Sequence, residues 1–143
     1  MTYRPATPAD RPAMIALLIT AGLLADDLPA DVSLFVLAEA EDGQLVGVAG
    51  VDSMGQTGLL RSVAVLPKYR DQHIGSELVE QVLQLARHRL VTTLYLLTTT
   101  AEGYFSRLGF APISRANVPD QIAQTRQFAN LCPASAVVMK REI

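Results

Sequence analysis

The strongest periodicity in the chain lies between Ile74 and His88. Ile74, Leu78, Val82 and Ala86 recur every fourth residue, and Val79 and Leu85 widen the stripe. That spacing predicts a helix with one apolar face. Glu77 and Glu80 stand early in it and Arg87, His88 and Arg89 late, an order that complements the helix dipole. Upstream the pattern changes. "LFVLAEAE" (Leu34 to Glu41), "QLVGVAGVD" (Gln44 to Asp52) and "LLRSVAVL" (Leu59 to Leu66) read as strands. Asp42-Gly43 is a two-residue hairpin signal, and "SMGQTG" marks a second turn, so the three runs predict an antiparallel meander. Pro67 ends the third strand because it has no amide hydrogen to donate.

The flanks fill in the rest. "TYRPA" suits a short edge strand, where Pro5 is tolerated. Thr7 before Pro8 marks a helix start, continued by "MIALLITAGLL" to about Gly22. Asp26 to Asp31 reads as a loop or short turn. "TTLYLLTT" (Thr92 to Thr99) is an apolar strand, and strand, crossover helix and strand predict a parallel pair. "AEGYFSRL" predicts a short helix closed by Gly109, and "FAPISR" a strand. "PDQIAQTRQFANL" predicts a helix opening at Pro119, and "SAVVMKRE" a closing strand. The expected fold is α/β (α+β): one domain over residues 1–143, with a mixed twisted sheet of six to seven strands flanked by helices.

Composition narrows the function. The chain has 143 residues, half of them hydrophobic, and a mean hydropathy of +0.25, which suits one well-filled core. No apolar run is long enough to cross a bilayer. The first residues, "MTYRPATPADRP", lack the basic-then-apolar order of a secretory signal, so a cytoplasmic location is expected. A net charge of −2 argues against a nucleic-acid surface. The single cysteine, Cys132, rules out an internal disulfide and a Cys-rich metal framework; it reads as a structural residue, and no metal is expected.

The junction "LPKYRDQHIGSELVEQVL" (Leu66 to Leu83) carries the candidate chemistry. A strand ends and a helix begins there, and the first amides of a helix have no intrahelical partner. Aimed together, such amides bind an anion. Arg70 adds a charged donor and Gly75 permits close approach. On these residues alone a plain capped helix after a strand is the preferred reading. No Walker pattern and no G-x-G-x-x-G is present.

"RSVAVLPKYRDQHIGSELVEQVL" resembles the acetyl-CoA-binding motif of the GNAT family of N-acetyltransferases. Arg70 fills the first position of its Arg/Gln-x-x-Gly-x-Gly/Ala pattern and Gly75 the last, while His73 replaces the middle glycine. "TTTAEGYFSRLGF" (Thr98 to Phe110) resembles the family's second signature. Ala101, Leu108, Gly109 and Phe110 match it, with Thr98 where Asn is common. "LTTTAEGYFSRLGF" followed by "PDQIAQTRQFANLCPASAVVMK" is similar, more narrowly, to acetyltransferases of bacterial arsenic-resistance clusters. The resemblance implies the GNAT acyl-CoA N-acyltransferase fold, with acetyl-CoA as cosubstrate. It implies acetyl transfer to the amine of a small, amino-acid-like acceptor, by direct attack on the thioester.

It also implies site residues. The pyrophosphate of CoA is expected on the amides of Arg70, Asp71, Gln72, His73, Ile74, Gly75 and Ser76. His73 stands either as a phosphate contact or as a solvated loop residue. If its position needs φ > 0, it carries a cost that glycine does not. Val63, Ala64 and Val65 are expected along the pantetheine arm, with Thr98, Tyr104 and Phe105 nearby. An amide near Val63 or Val65 is expected to polarise the thioester carbonyl.

Many family members use a Tyr of a Phe-Tyr pair as general acid. Here Tyr104 precedes Phe105, and one residue turns a helix by about 100°. Tyr104 is the best candidate acid, although the inversion points it away from the sulfur. Some relatives carry a Glu early in the "LLRSVAV" strand, where Leu59 and Leu60 stand here. That leaves Glu39, Glu41, Asp52 or relayed water as base. Arg61, a charge in an apolar strand, is placed near the cleft, where it could bind an acidic acceptor, although a strand Arg is usually a surface residue. A rival in another class is a CoA-binding sensor or partner-binding module with weak catalysis. The Pro119 to Leu131 segment is a candidate cover for the acceptor or a homodimer face.

Overall fold

The computed structural model describes residues 1–23, 25–125, 128 and 136–143. β1 (Thr2–Pro5) leads through one 3₁₀ turn at Pro8–Asp10 into α1 (Arg11–Thr20). The Thr7 hydroxyl and amide both donate to the Asp10 carboxylate, at 3.0 and 2.8 Å, so Asp10 reaches back and closes the turn. α1 stops at Thr20, earlier than expected, and Gly22 follows at φ +74°.

The meander is present as β2 (Phe35–Glu39), β3 (Leu45–Met54) and β4 (Thr57–Val65). The amphipathic helix is α2 (Ile74–His88), followed by β5 (Thr93–Thr98) and α3 (Glu102–Arg107). β6 (Ala111–Ile113) is shorter than expected, and β7 (Val137–Glu142) closes the sheet. Of the helix expected from Pro119, α4 (Asp120–Ala123) is present; much of the rest of "PDQIAQTRQFANL", like Cys132, lies outside the described residues.

The seven strands run in the order β1-β2-β3-β4-β5-β7-β6. All neighbours are antiparallel except β4 and β5, the pair that the strand–helix–strand order predicts. Pro5 and Pro112 both sit on the two outer strands, β1 and β6, where a missing donor costs no ladder bond.

Both faces of the sheet are covered, which is why its strands read as apolar runs more than as strict alternation. Val46, Leu60, Leu94 and Met139 pack with Leu78, Val82 and Leu83 of α2. Phe35, Leu37 and Val48 pack with Met14, Leu17 and Leu18 of α1. Leu59, Tyr95 and Val138 pack with Ile122 of α4. Phe35 is fully buried opposite Gly50 of β3. A Cβ at Gly50 would lie 2.2 Å from the Phe35 ring, so this cross-strand site admits only hydrogen.

Two stability predictions follow from this packing. Gly50→Ala lowers unfolding free energy by about 1–3 kcal/mol, the usual cost of overpacking, measured by urea denaturation. Arg4 donates to Asp10 (2.8 Å) and to Glu39. The Arg4 bond holds the Asp10 carboxyl well below the ordinary carboxylate range, against some desolvation. A depressed carboxylate stabilises above its unfolded pKa of roughly 4, and that contribution disappears as pH falls further. Asp10→Asn therefore lowers the melting temperature at pH 7, and the gap from wild type narrows on acidification below about pH 4.

Candidate active site

β4 and β5 are in register only from Thr57–Leu59 against Thr93–Tyr95. Past Leu59 they part. On its other side β4 carries a bulge: Arg61 pairs with Gly50 and Ala64 with Val48, so Ser62 and Val63 together face Ala49. Ser62 adopts φ +58°, a left-handed conformation that serine rarely takes. The bulge bends β4 away from β5 and opens the sheet.

Two cavities meet at this opening. The larger, about 850 Å³, runs along Val63, Ala64 and Val65 to the start of α2. Arg70, Asp71, His73, Ile74, Gly75 and Ser76 line it. Gln72 is exposed and is not among its lining residues. Arg107 of α3 joins Arg70 as a second cation at its wall. Asp71 and His73 both have positive φ, 63° and 61°. The left-handed turn that glycine usually supplies is thus built with two side chains, each strained by about 1–3 kcal/mol. His73 is the residue before the first turn of α2, and its carbonyl accepts from the Glu77 amide (3.1 Å) and the Ser76 hydroxyl (3.1 Å). Arg70 Nε donates to the Val65 carbonyl at 3.3 Å, which ties the turn to the end of β4.

The smaller cavity, about 280 Å³, lies in the split itself, between Leu59–Val63 of β4 and Leu96–Ala101 after β5. Leu23, Val63, Thr100, Ala101 and Tyr104 line both cavities. Tyr104 is therefore at their junction, despite the inverted order of the aromatic pair. Phe105 is 9% exposed and packs edge-on against Tyr104 and Phe110, at 5.2 and 6.1 Å between ring centroids. A Cβ on Gly75 would come 2.6 Å from the Tyr104 hydroxyl oxygen, so Gly75 makes room for that hydroxyl. Burial pushes the Tyr104 hydroxyl above the ordinary tyrosine range; Arg107 and a Ser76 hydrogen bond pull the other way. Thr98 is buried at the far side, its Oγ1 accepting from the Ala101 amide at 3.0 Å, and lines the smaller cavity only.

Arg61 is not the surface residue that its strand position suggests. Its side chain is 1% exposed. Nη2 and Nη1 donate to the two carboxylate oxygens of Asp27 at 2.6 and 3.0 Å, and Nη1 also to Asp52 at 3.0 Å. Nε donates to Ser62 Oγ at 3.1 Å. A clamp for an acidic acceptor needs a free guanidinium, and this one is engaged on all three nitrogens. Asp27 had no local signal: it is 34 residues from Arg61, within the segment from Asp26 to Asp31 that reads as a loop or short turn. Of the candidate bases, Glu39 bonds Arg4, Asp52 bonds Arg61, and Glu41 is exposed beyond β2.

A sheet split open beside an amide-lined helix start is the architecture of an acyltransferase domain. The chain belongs to the acetyltransferase (GNAT) family, whose model matches residues 7–110, and it has the GNAT fold. It is 32% identical over 94 residues to an amino-acid acetyltransferase of Pseudomonas putida, covering 64% of this chain and 22% of that protein. The chain thus spans under a quarter of that relative's length. N-acetylglutamate synthase of Neisseria gonorrhoeae, complexed with coenzyme A and N-acetyl-glutamate, superimposes with a TM-score of 0.84 at 22% identity, over 99% of this chain and 34% of that one. Rv2747 of Mycobacterium tuberculosis, solved in complex with CoA, gives 0.81 at 25% identity, over 100% and 99%.

Gly75→Ala is expected to displace the Tyr104 ring, whereas His73→Gly relieves strain and leaves the amides in place. The melting-temperature rise on adding CoA should persist in His73→Gly. In Gly75→Ala it should shrink, as thermal shift on both variants would read.

Proposed function

We propose that residues 1–143 form one acetyltransferase domain that uses acetyl-CoA to acetylate the amine of a small, amino-acid-like acceptor. The observation that carries this is the meeting of two cavities at Tyr104 and Val63; we assign the larger to the cofactor and the smaller to the acceptor. The cofactor side fits CoA: a helix N-terminus, a turn held at positive φ, and two arginines on its wall. Acetyl-CoA, when bound, supplies an acetyl thioester for direct attack by the amine. The amides of residues 70–76 hold its pyrophosphate, and the freed edge of β4 at Val63 to Val65 holds the pantetheine arm.

Tyr104 acts as general acid toward the departing thiolate. Its raised pKa keeps it protonated through neutral pH. The proton is delivered where the cavities join, so the aromatic inversion costs no catalytic group. The base is water relayed through backbone carbonyls, since Leu59 and Leu60 supply no carboxylate and Asp52 is paired. The CoA-binding sensor keeps the cradle but requires an idle Tyr104. We further propose a cytoplasmic location, supported by the absence among the described residues of any helix long and apolar enough to cross a membrane. The likeness to acetyltransferases of arsenic-resistance clusters supports placement in that subfamily, and a homodimer belongs to the same proposal.

Free-thiol release from acetyl-CoA with a panel of amines tests the function. Release above the acceptor-free rate supports it, and CoA binding with no release under any amine favours the sensor. Tyr104→Phe is expected to lower kcat by about 100-fold, the scale of a lost general acid, with CoA affinity nearly unchanged. Wild-type kcat should fall only as pH rises past the elevated tyrosine pKa, because the acid must be protonated to act. The variant should lack that alkaline limb.

A further inference from the structure

The acceptor cavity is mostly apolar, with Leu23, Leu59, Leu60, Leu96, Leu97 and Phe105 on its walls. Among the described residues Arg61 is the only cation that lines it. Its guanidinium is bound on both Nη atoms by Asp27 and on Nη1 by Asp52. Two carboxylates are thus bonded to Arg61 and offset its charge. The Asp27 side chain is 5% exposed; its two oxygens occupy the Nη1–Nη2 edge of the guanidinium, and Nε is taken by Ser62. At Arg61 an acidic acceptor must therefore displace a buried carboxylate or go unpaired, and both are costly. Ser62 remains as a polar contact: its Oγ accepts from Arg61 Nε, which leaves its own hydroxyl proton available to a neutral oxygen.

We propose that the acceptor is a primary amine on an uncharged, apolar body, such as an amino-acid amide or ester, and that Asp27 and Asp52 exclude carboxylates by neutralising Arg61. This deepens the acetyl-transfer proposal and rests on it. It narrows "amino-acid-like" to forms whose carboxyl group is masked. Arg61 itself is a positioning residue that ties the segment before β2 to the bulge of β4.

L-Leucinamide, L-leucine and L-glutamate separate the charge from the body. With acetyl-CoA saturating, kcat/KM for leucinamide should exceed that for leucine and glutamate by roughly 100-fold or more, given the cost of burying an unpaired carboxylate. Asp27→Asn frees the guanidinium and should narrow the leucinamide-to-glutamate ratio by at least about tenfold. If Asp27→Asn does not fold, Asp52→Asn, at the more exposed carboxylate, should move the ratio in the same direction. Equal or better use of glutamate by the wild type overturns the proposal, as does a ratio that neither variant alters. Should no amine release thiol, the acetyl-transfer reading fails on that count alone. Calorimetric titration of CoA-loaded protein with the same three amines then decides the specificity: tighter leucinamide supports it, tighter or equal glutamate refutes it.

Discussion

The left-handed turn of Ser62 is the constraint on which the site depends. A serine at φ +58° stores on the order of 1–3 kcal/mol, and the surrounding structure must hold it there. Pairing of β4 with β3 on both sides of the bulge does so, together with the bond from Arg61 to the serine hydroxyl. Without the bulge, β4 would continue alongside β5 and the sheet would close. The two cavities, the freed edge of β4 and the position of Val63 between them all follow from one residue's backbone.

The buried ion network has a second use. A buried pair seldom adds much stability, because desolvation offsets the attraction. What it does here is specify geometry. Asp27 lies on the segment between α1 and β2, and Leu23 on the same segment forms a wall of both cavities. Binding Asp27 to Arg61 fixes that wall against the bulge. Arg11 adds to the hold by donating to the carbonyls of Leu28 and Pro29, both at 2.6 Å.

Element order, the parallel pair and the strand-to-helix turn before α2 were legible in the sequence, because each leaves a local trace. The α2 stripe, Asp42-Gly43 and the prolines at 5 and 67 are such traces. The bulge was not legible: Ser62 is one polar residue in an apolar run, and its conformation is imposed by β3. The pairing of Arg61 with Asp27 was not legible either, since a contact between residues 34 apart is made by the tertiary fold. The aromatic pair divides between core and cleft: Phe105 packs against Phe110, and Tyr104 lines both cavities, a partition that tertiary packing sets and the local pattern does not carry. α1 ended early because Gly22, at φ +74°, turns the chain after Ala21.

The cradle turn carries side chains at Asp71 and His73, in conformations that glycine usually supplies. A glycine turn is free of strain but loses more disorder when it becomes fixed. This turn reverses the balance. Its backbone is restricted before any ligand arrives, and the strain is met once, at folding, by α2 and β4. Under the proposed CoA reading, capture would then require little further ordering, which keeps the entropic penalty of association small.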